Sequence, residues 1–310
     1  MEKVLVIGAG GQLGSELSLA LQEKYGKQQV VVSDIRPVGE ALSQGIVEEL
    51  DVLDSHRIRE VVEKHQITQI YHLAAILSAV GEKKPKLAWE VNMNGLLNVL
   101  EIARNHSINK IFWPSSIAVF GQETPKNHTP QHTTMNPSTV YGISKLAGER
   151  WCEYYFKNFH IDIRSLRYPG LIGYKSLPGG GTTDYAVEIY HKALRKEEFT
   201  CFLKKDTCLP MMYIPDAIKA TLQLMEAPAE NISIRSSYNI SGLSISPEEL
   251  AASIIKYFPD FKISYNPDFR QGIADAWPKS IDDSKAREDW NWRPSYSLES
   301  MTKDMFMQLA

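Results

Sequence analysis

Short apolar runs rich in β-branched residues alternate, through the first half of the chain, with longer stretches whose apolar positions recur at helical spacing. Because these runs have no polar face, the strands that they predict are buried on both faces, as in a parallel sheet. The predicted strands are residues 2–8, 29–34, 46–51, 69–75, 110–116 and 162–168. The first predicted helix ends near residue 25, and the others span residues 55–65, 89–105 and 141–158. This alternation predicts an α/β fold with a doubly wound parallel sheet that binds ligands at the carboxyl ends of its strands.

The second half of the chain, beyond Pro169, lacks this regular alternation. Helices are predicted for residues 185–196, from residue 214 onward, from a capping box at Ser246 and Glu249 to residue 258, and for residues 297–309. A glycine-rich stretch at 177–184 and a polar, aromatic stretch at 270–292 accompany them. We therefore predict a smaller C-terminal lobe of mixed α/β structure.

Composition limits the classes of function. The chain has 310 residues, of which 43% are hydrophobic and 23% charged, which suits one large α/β domain or a domain with a smaller lobe. The formal net charge of -3 gives no electrostatic footprint for nucleic acid, so no such partner is expected. No apolar run approaches the roughly 20 residues of a membrane span, so no membrane partner is expected either. Three cysteines without a C-x-x-C pair suit a reducing cytoplasm, which is the predicted location.

A glycine-rich turn, with Gly8, Gly11 and Gly14, joins the first predicted strand to the first helix. These positions suit a tight turn, the close approach of a pyrophosphate and the packing of helix on strand, in that order. The helix N-terminus supplies free N–H groups for the phosphates. Asp34 ends the second strand about 20 residues later, where an acid takes ribose hydroxyls, although a turn or N-cap aspartate is the alternative. The carboxylate of Asp34 repels the extra phosphate of NADP, so NAD is the predicted cofactor. Arg36 lies close enough to weaken this preference.

Tyr141 and Lys145 lie four residues apart at the start of a predicted helix, which places both side chains on one face. A free tyrosine has a pKa of about 10, and a neighbouring ammonium favours its phenolate. The pair can therefore act as a proton relay, although an amphipathic tyrosine beside a solvated lysine is the alternative. We accordingly predict that residues 1–168 form the NAD-binding domain with the catalytic residues. Residues 169–310 form the substrate-binding lobe, interleaved with the first domain.

The ordered set of motifs resembles the extended short-chain dehydrogenase/reductase family over essentially the whole chain. The motifs are Gly8-x-x-Gly11-x-x-Gly14, Asp34, Asp51, His72-Leu-Ala-Ala75, Val91-Asn92 with Gly95, Ser115-Ser116-Ile-Ala-Val-Phe-Gly121 and Tyr141-Gly-Ile-Ser-Lys145. The resemblance implies a Rossmann fold in which Tyr141 is the general base. It also implies that Lys145 lowers the pKa of Tyr141 and holds the nicotinamide ribose, and that Ser116 orients the substrate. The cofactor-binding residues that it implies are Gly8, Gly11, Gln12, Leu13, Gly14, Asp34, Asp51, Val52, Leu73, Ala74, Ala75, Asn92, Tyr141, Lys145, Tyr168 and Leu171.

Two stretches of the second half, residues 177–186 and 264–283, are similar to the short-chain L-threonine 3-dehydrogenases, a group within that family. The implied reaction is oxidation of the L-threonine β-hydroxyl by NAD to 2-amino-3-oxobutanoate, a step of threonine catabolism towards glycine. The implied substrate-binding residues are Ser78, Ser116, Tyr141, Gly180, Thr182, Thr183, Asp184 and Trp277. Ser78 is equally consistent with an ordinary loop serine, Asp184 with a helix N-cap, and Trp277 with packing alone.

The sequence also allows other functions. A sugar-nucleotide epimerase or reductase of the same family needs cationic groups for a diphosphate, and Arg235 and Arg270 are the candidates in the second half. A dinucleotide-sensing regulator is disfavoured because the Tyr141 and Ser116 motifs are intact. No metal site is predicted. The family resemblance further implies a homodimer formed through the helices at 89–105 and 141–158.

Overall fold

The structure is a computed structural model that describes residues 2–175, 177, 179 and 181–309. Its strands are β1 (Val4–Ile7), β2 (Val30–Asp34), β3 (Ile46–Glu49), β4 (Gln69–His72), β5 (Lys110–Phe112), β6 (Ser115–Ser116), β7 (Asp162–Arg164), β8 (Leu166–Tyr168), β9 (Gly170–Ile172), β10 (Phe199–Cys201), β11 (Leu209–Tyr213), β12 (Tyr238–Asn239), β13 (Leu243–Ile245) and β14 (Ile263–Tyr265). Its α-helices are α1 (Gln12–Tyr25), α2 (Glu40–Ser43), α3 (Ser55–His65), α4 (Ser78–Lys83), α5 (Pro85–Trp89), α6 (Gly95–Asn105), α7 (Val140–Phe159), α8 (Tyr185–Leu194), α9 (Ile214–Glu226), α10 (Pro247–Ile255), α11 (Phe269–Ala276), α12 (Ser284–Trp290) and α13 (Leu298–Leu309).

A six-stranded parallel sheet forms the centre of the molecule, in the order β3-β2-β1-β4-β5-β7. Alternate side chains of β1 enter two different cores: Val4 and Val6 pack on one side of the sheet, and Leu5 and Ile7 on the other. Because β1 is buried on both faces, its sequence reads as a continuous apolar run. The prediction of a doubly wound α/β fold is confirmed.

Two of the predicted strands are interrupted, which corrects their predicted bounds. The strand predicted at 110–116 leaves the central sheet after Phe112, because Pro114 has no N–H to donate to a ladder. The strand predicted at 162–168 breaks at Ser165, whose hydroxyl instead bonds that of Ser237 at 2.8 Å. The segments beyond the breaks, β6 and β8, pair with each other in a second sheet of order β12-β8-β6. This pairing brings Ser116 beside Tyr168.

The second half contains regular strands that its sequence did not reveal. They form a three-stranded sheet of order β13-β11-β9 and a parallel pair of β10 with β14. Strands of two to five residues are too short to show a periodicity of their own. Through β12, which pairs with β8, the second half also adds a strand beside the first half. The division of the chain near residue 168 stays a prediction.

Helix ends follow local signals that the sequence carries. Ser246 and Glu249 form the predicted capping box at the start of α10, with both reciprocal hydrogen bonds present. Thr139 caps α7, and its hydroxyl accepts a hydrogen bond from the N–H of Gly142 at 3.0 Å. The helix predicted at 89–105 begins earlier, at Pro85, and contains a π-helical segment at Glu90–Asn94. Within the described residues, no helix has the length and apolar character needed to cross a membrane.

We expect Gly148→Ala to destabilise the fold, because α7 packs closely on the buried ring of Trp113. A methyl group at residue 148 would lie 2.4 Å from Cη2 of Trp113. The free energy of unfolding should fall by about 1–3 kcal/mol, although alanine favours the helix itself. Urea denaturation measures this change.

Gly272→Ala in α11 is the matched control. A methyl group at residue 272 meets no described atom within 4 Å, so the helix propensity of alanine should stabilise the protein by up to about 1 kcal/mol. A Gly148→Ala protein as stable as the wild type would contradict the packing argument.

Candidate active site

A cavity of about 620 Å³ opens beyond the carboxyl ends of β1, β4 and β6. That volume suits a cofactor or small-molecule site. It brings together most of the predicted site residues: Gly8, Gly11, Gln12, Leu13, Gly14, Leu73, Ala75, Ser78, Ser116, Tyr141, Lys145, Tyr168, Leu171, Thr182, Thr183, Asp184 and Trp277. Residues from both halves of the chain therefore form one site. Gly180, also predicted, lies outside the described residues.

The glycine-rich turn lies at one end of the cavity and has no room for side chains. Gly8 has φ +89°, and a Cβ there would lie 2.6 Å from the backbone nitrogen of Ala74. A Cβ on Gly14 would lie 2.1 Å from the carbonyl oxygen of Gly8. Helix α1 starts after Gly11 with no side-chain cap and no acidic residue in its first turn. An open helix N-terminus of this kind suits an anionic phosphate group.

Asp34 supports this turn from behind. Its Oδ2 accepts a hydrogen bond from the N–H of Gly10 at 3.0 Å, and its Oδ1 accepts one from the N–H of Arg36 at 3.1 Å. The carboxylate is 8% exposed, whereas the side chain of Arg36 is 72% exposed and lines the cavity. This end of the cavity therefore has one buried anion and one exposed cation. Together with the glycine cradle, this arrangement fits a dinucleotide.

Three further residues predicted to bind the cofactor lie outside the cavity lining. Asp51 accepts a hydrogen bond from the N–H of Leu53 at 2.9 Å. Val52 packs against the backbone of Gly95, where a Cβ would come within 2.8 Å of it. The N–H of Ala74 donates to the carbonyl of Ile7 at 3.0 Å and closes the tight approach to Gly8. Their direct contact with a cofactor stays a prediction.

Asn92, like Asp34 and the three residues above, lies outside the cavity lining, and its side chain bonds within the protein. Its Oδ1 accepts from the N–H of Ile76 at 2.8 Å, and its Nδ2 donates to the carbonyl of Ile76 at 3.0 Å. The same Nδ2 lies 3.2 Å from the hydroxyl of Ser144. Asn92 belongs to the π-helical segment, a form that is common at functional sites. In this structure it holds the backbone between β4 and α4, which lines the cavity.

Burial controls the protonation of Tyr141 and Lys145. It raises the pKa of Tyr141 to about 12, and the hydrogen bond with Ser116 opposes the shift. It lowers the pKa of Lys145 to about 7, while the nearby Cys152 and Glu149 act in the opposite direction. Nζ of Lys145 donates to the carbonyl of Pro114 at 2.6 Å and lies 5.6 Å from the centre of the Tyr141 ring. That Lys145 lowers the pKa of Tyr141 stays a prediction.

The opposite wall of the cavity carries hydroxyl groups and one carboxylate. The hydroxyls of Ser78 and Thr182 lie 3.4 Å apart, and both residues are buried. Asp184 stands at the N-cap position of α8, yet its Oδ2 accepts from the N–H of Gly181 at 2.8 Å and caps no N–H of the helix. Trp277 is 7% exposed, so it packs in the core and also lines the cavity.

Sequence reasoning missed several apolar residues of the lining. They are Ile76, Leu77, Val80, Ile117 and Leu177. The first three directly follow the predicted fourth strand, so the rule that ligands bind at strand ends could have found them. Ile117 directly follows the predicted fifth strand, so the same rule applies to it, and Leu177 begins the glycine-rich stretch. Among the described residues, no three His, Cys, Asp or Glu side chains are grouped as a metal ion would require.

The Rossmann-like fold and its cavity are those of an enzyme whose site fits a dinucleotide. A model of the NAD dependent epimerase/dehydratase family matches residues 4–241, and the chain belongs to this family. An uncharacterized epimerase/dehydratase of Staphylococcus saprophyticus is 48% identical over 98% of this chain and 96% of its own length.

Similar solved structures point to one group of enzymes within this family. A GalE-like L-threonine dehydrogenase from Cupriavidus necator, in its holo form, is 56% identical and superposes with a TM-score of 0.97, covering 99% of this chain and 100% of its own. A monomeric L-threonine 3-dehydrogenase from a metagenome is 49% identical with a TM-score of 0.96, covering 99% and 98%. The predicted resemblance to the extended short-chain dehydrogenases, and to the L-threonine 3-dehydrogenases among them, is confirmed.

We expect Lys145→Met to stabilise the cofactor-free protein in a pH-dependent way. The pKa of Lys145 is about 7 when folded and returns towards 10.5 on unfolding. Below pH 7 the folded protein therefore carries a buried ammonium at a free-energy cost, and this cost shrinks as the pH rises towards 10.5. The gain in unfolding free energy should be smaller at pH 9 than at pH 6 by about 3 kcal/mol.

Chemical denaturation at the two pH values measures this difference. Lys279→Met removes an exposed lysine and should leave stability nearly unchanged at both. A stabilisation by Lys145→Met that does not vary with pH would show that packing, rather than the buried charge, is responsible.

Proposed function

We propose that this protein oxidises the β-hydroxyl of L-threonine to 2-amino-3-oxobutanoate with NAD, a step of threonine catabolism towards glycine. The observation that carries the proposal is a single cavity that joins the glycine-rich turn, the Ser116–Tyr141–Lys145 group and a wall of hydroxyls with one carboxylate. The similarity to solved structures named L-threonine dehydrogenases supports it.

The cofactor-binding residues fit NAD in the following way. The turn from Gly8 to Gly14 and the N-terminus of α1 hold the pyrophosphate, Asp34 takes the adenosine ribose and Lys145 the nicotinamide ribose. When bound, NAD supplies the nicotinamide ring that accepts the hydride. Asp34, a buried anion at the ribose end, favours NAD over NADP.

Tyr141 is the proposed general base. Its phenolate removes the proton of the substrate hydroxyl, while the hydroxyl of Ser116 holds the reacting oxygen. Since burial places the pKa of Tyr141 near 12, the phenolate needs a cation beside it. Lys145 and Arg36 are the cationic side chains among the described lining residues, and Lys145 is the one next to Tyr141. Lys145 therefore supplies the positive charge that stabilises the phenolate.

The wall that carries the hydroxyl groups and Asp184 holds the carboxylate and the ammonium of the amino acid. The hydroxyls of Ser78, Thr182 and Thr183 donate to the substrate carboxylate, together with the backbone N–H of Gly179. Asp184 pairs with the substrate ammonium, and Trp277 closes the pocket around the small molecule. The binding residues thus come from α4, the glycine-rich loop and the segment after α11.

The alternative, a sugar-nucleotide epimerase or reductase, is favoured by the names of the family model and of the curated relatives. It requires cationic side chains for a diphosphate. Arg235 pairs with Asp162 at 2.6 Å and lies over the ring of Phe156. Arg270 pairs with Asp268 at 2.6 Å and is not part of the cavity lining. Neither candidate arginine is thus available for a diphosphate in the cavity.

We expect the purified protein to form NADH from NAD and L-threonine, and Tyr141→Phe to lose about 10²–10⁴-fold in kcat by removal of the base. Absorbance at the NADH band follows the reaction, with NADP, D-threonine, L-serine and UDP-sugars in parallel. NADH binding by Tyr141→Phe, followed by fluorescence, controls for folding. Conversion of a UDP-sugar with L-threonine inert would select the alternative.

We also propose a homodimer in the cytoplasm, where the three free thiols would stay reduced. Ile143, Trp151 and Tyr154 lie exposed along one face of α7, and Trp89 at the end of α5 is exposed as well. An apolar patch of this kind is typical of a protein–protein interface. The monomeric neighbour shows that related chains need not associate, so the oligomeric state requires measurement.

We expect Trp151→Glu to convert the dimer to a monomer, because it places a charge in the buried interface. Light scattering after size-exclusion chromatography measures the mass. Met307→Glu, at a side chain 61% exposed on α13, is the control and should remain dimeric. A wild-type protein of monomer mass would reject the dimer.

A further inference from the structure

The chain segment that follows the Ser116 motif is joined along its length to the segment that contains Trp277. Thr129 and Ile281 form a parallel bridge. The N–H groups of Lys279 and Ser280 donate to the carbonyl of Lys126 at 2.7 and 3.1 Å. We call residues 121–132 the serine-side segment and residues 276–283 the tryptophan segment. Their contact connects the proposed catalytic serine to the far wall of the cavity.

One side chain, that of Lys126, connects the ends of both segments that lie nearest the cavity. Its Nζ donates to the carbonyl of Gly121 at 3.1 Å and to the carbonyl of Ala276 at 2.7 Å. Gly121 ends the turn that starts at Ser116, and Ala276 is the last residue of α11. An ammonium at a helix C-terminus is stabilised by the carbonyl groups and by the helix dipole.

The residue next to this contact is Trp277, whose indole lines the cavity together with Ser116 and Ile117. Because Lys126 holds the carbonyl of Ala276 against the turn after Ser116, it fixes the distance between the indole and the serine. Among the described residues, no hydrogen bond joins the glycine-rich turn at residues 8–14 to either segment. A change at residue 126 should therefore act on one end of the cavity.

Lys126 is partly buried beside two charged side chains, and its pKa lies below the usual range of a lysine. Burial lowers the pKa of Lys126, Asp275 opposes that shift and Lys279 adds to it. Lys126 is half-buried, whereas Lys279 is exposed. The two lysines thus share one charged neighbourhood, and Lys126 is the one that donates to both backbone carbonyls.

We infer that Lys126 is a positioning residue that holds Trp277 against Ser116 and so fits the cavity to a small amino-acid substrate. The inference rests on the proposed function for the nature of that substrate. Lys126 touches neither substrate nor cofactor. Its effect is on substrate affinity, through the indole wall, and not on cofactor binding or on the proton transfer itself.

The test compares Lys126→Met with Lys279→Met, which removes the same charge from the same neighbourhood without breaking the contact. For Lys126→Met the KM for L-threonine should rise about tenfold, as expected when a charge-assisted hydrogen bond no longer orders the wall. The KM for NAD and kcat should stay within about twofold, and Lys279→Met should match the wild type in every constant.

A double-mutant cycle with Trp277→Phe tests the route of the effect. If Lys126 acts through the indole, Lys126→Met should add little to the KM of the Trp277→Phe protein. Additive effects, or equal losses in kcat and in NAD affinity, would overturn the inference and indicate a general structural role.

Hydrogen exchange separates this inference from the proposed function. Amides of the tryptophan segment should exchange faster in Lys126→Met than in Lys279→Met, whatever the substrate. If the wild type fails to oxidise L-threonine, the proposed function is wrong, and hydrogen exchange alone then tests the role of Lys126. Unchanged protection of residues 277–283 in Lys126→Met would then reject the contact as a positioning device.

Discussion

A buried ion pair between Arg167 and Glu149 is the constraint on which the site depends. The two side chains are 2% and 0% exposed, and Nη2 of Arg167 lies 2.8 Å from Oε2 of Glu149. Glu149 stands one turn beyond Lys145 on α7 and also accepts from the hydroxyl of Ser115 at 2.7 Å. A buried pair is tolerated only when all its partners are in place, so it fixes α7 against β6 and β8. Ser116, Tyr141 and Lys145 take their relative positions from this contact.

The same arginine extends the constraint into the second half of the chain. Its Nη1 donates to the carbonyl of Gln131 at 3.0 Å and to the side chain of Asn239 at 3.1 Å. Gln131 belongs to the serine-side segment that packs on the tryptophan segment. One hydrogen-bonded network therefore connects α7 with the serine-side segment and with the second half of the chain.

The buried lysine of the candidate active site reduces the stability of the fold. Burial lowers the pKa of Lys145 to about 7 and raises that of Tyr141 to about 12. The buried ammonium of Lys145 costs stability below pH 7, whereas Tyr141 is a neutral phenol in both the folded and the unfolded chain at that pH and costs none. Residues with strongly shifted pKa values cluster at functional sites, where the surrounding structure holds them in place. Here the surrounding structure is the helix cap at Thr139, the carbonyl of Pro114 and the Arg167–Glu149 pair.

The sequence by itself determined the central sheet, its two buried faces, the glycine-rich turn and the Tyr141–Lys145 spacing, because each depends on neighbours along the chain. Periodicity shows a strand that is buried on both sides, and helical spacing places residues i and i+4 on one face. Tertiary structure alone decided the break at Ser165, the hydrogen bonds of Asn92 within the protein, and the meeting of Ser78 with Thr182, which lie 104 residues apart. Such contacts depend on which elements pack together, and no local pattern of residues records that choice.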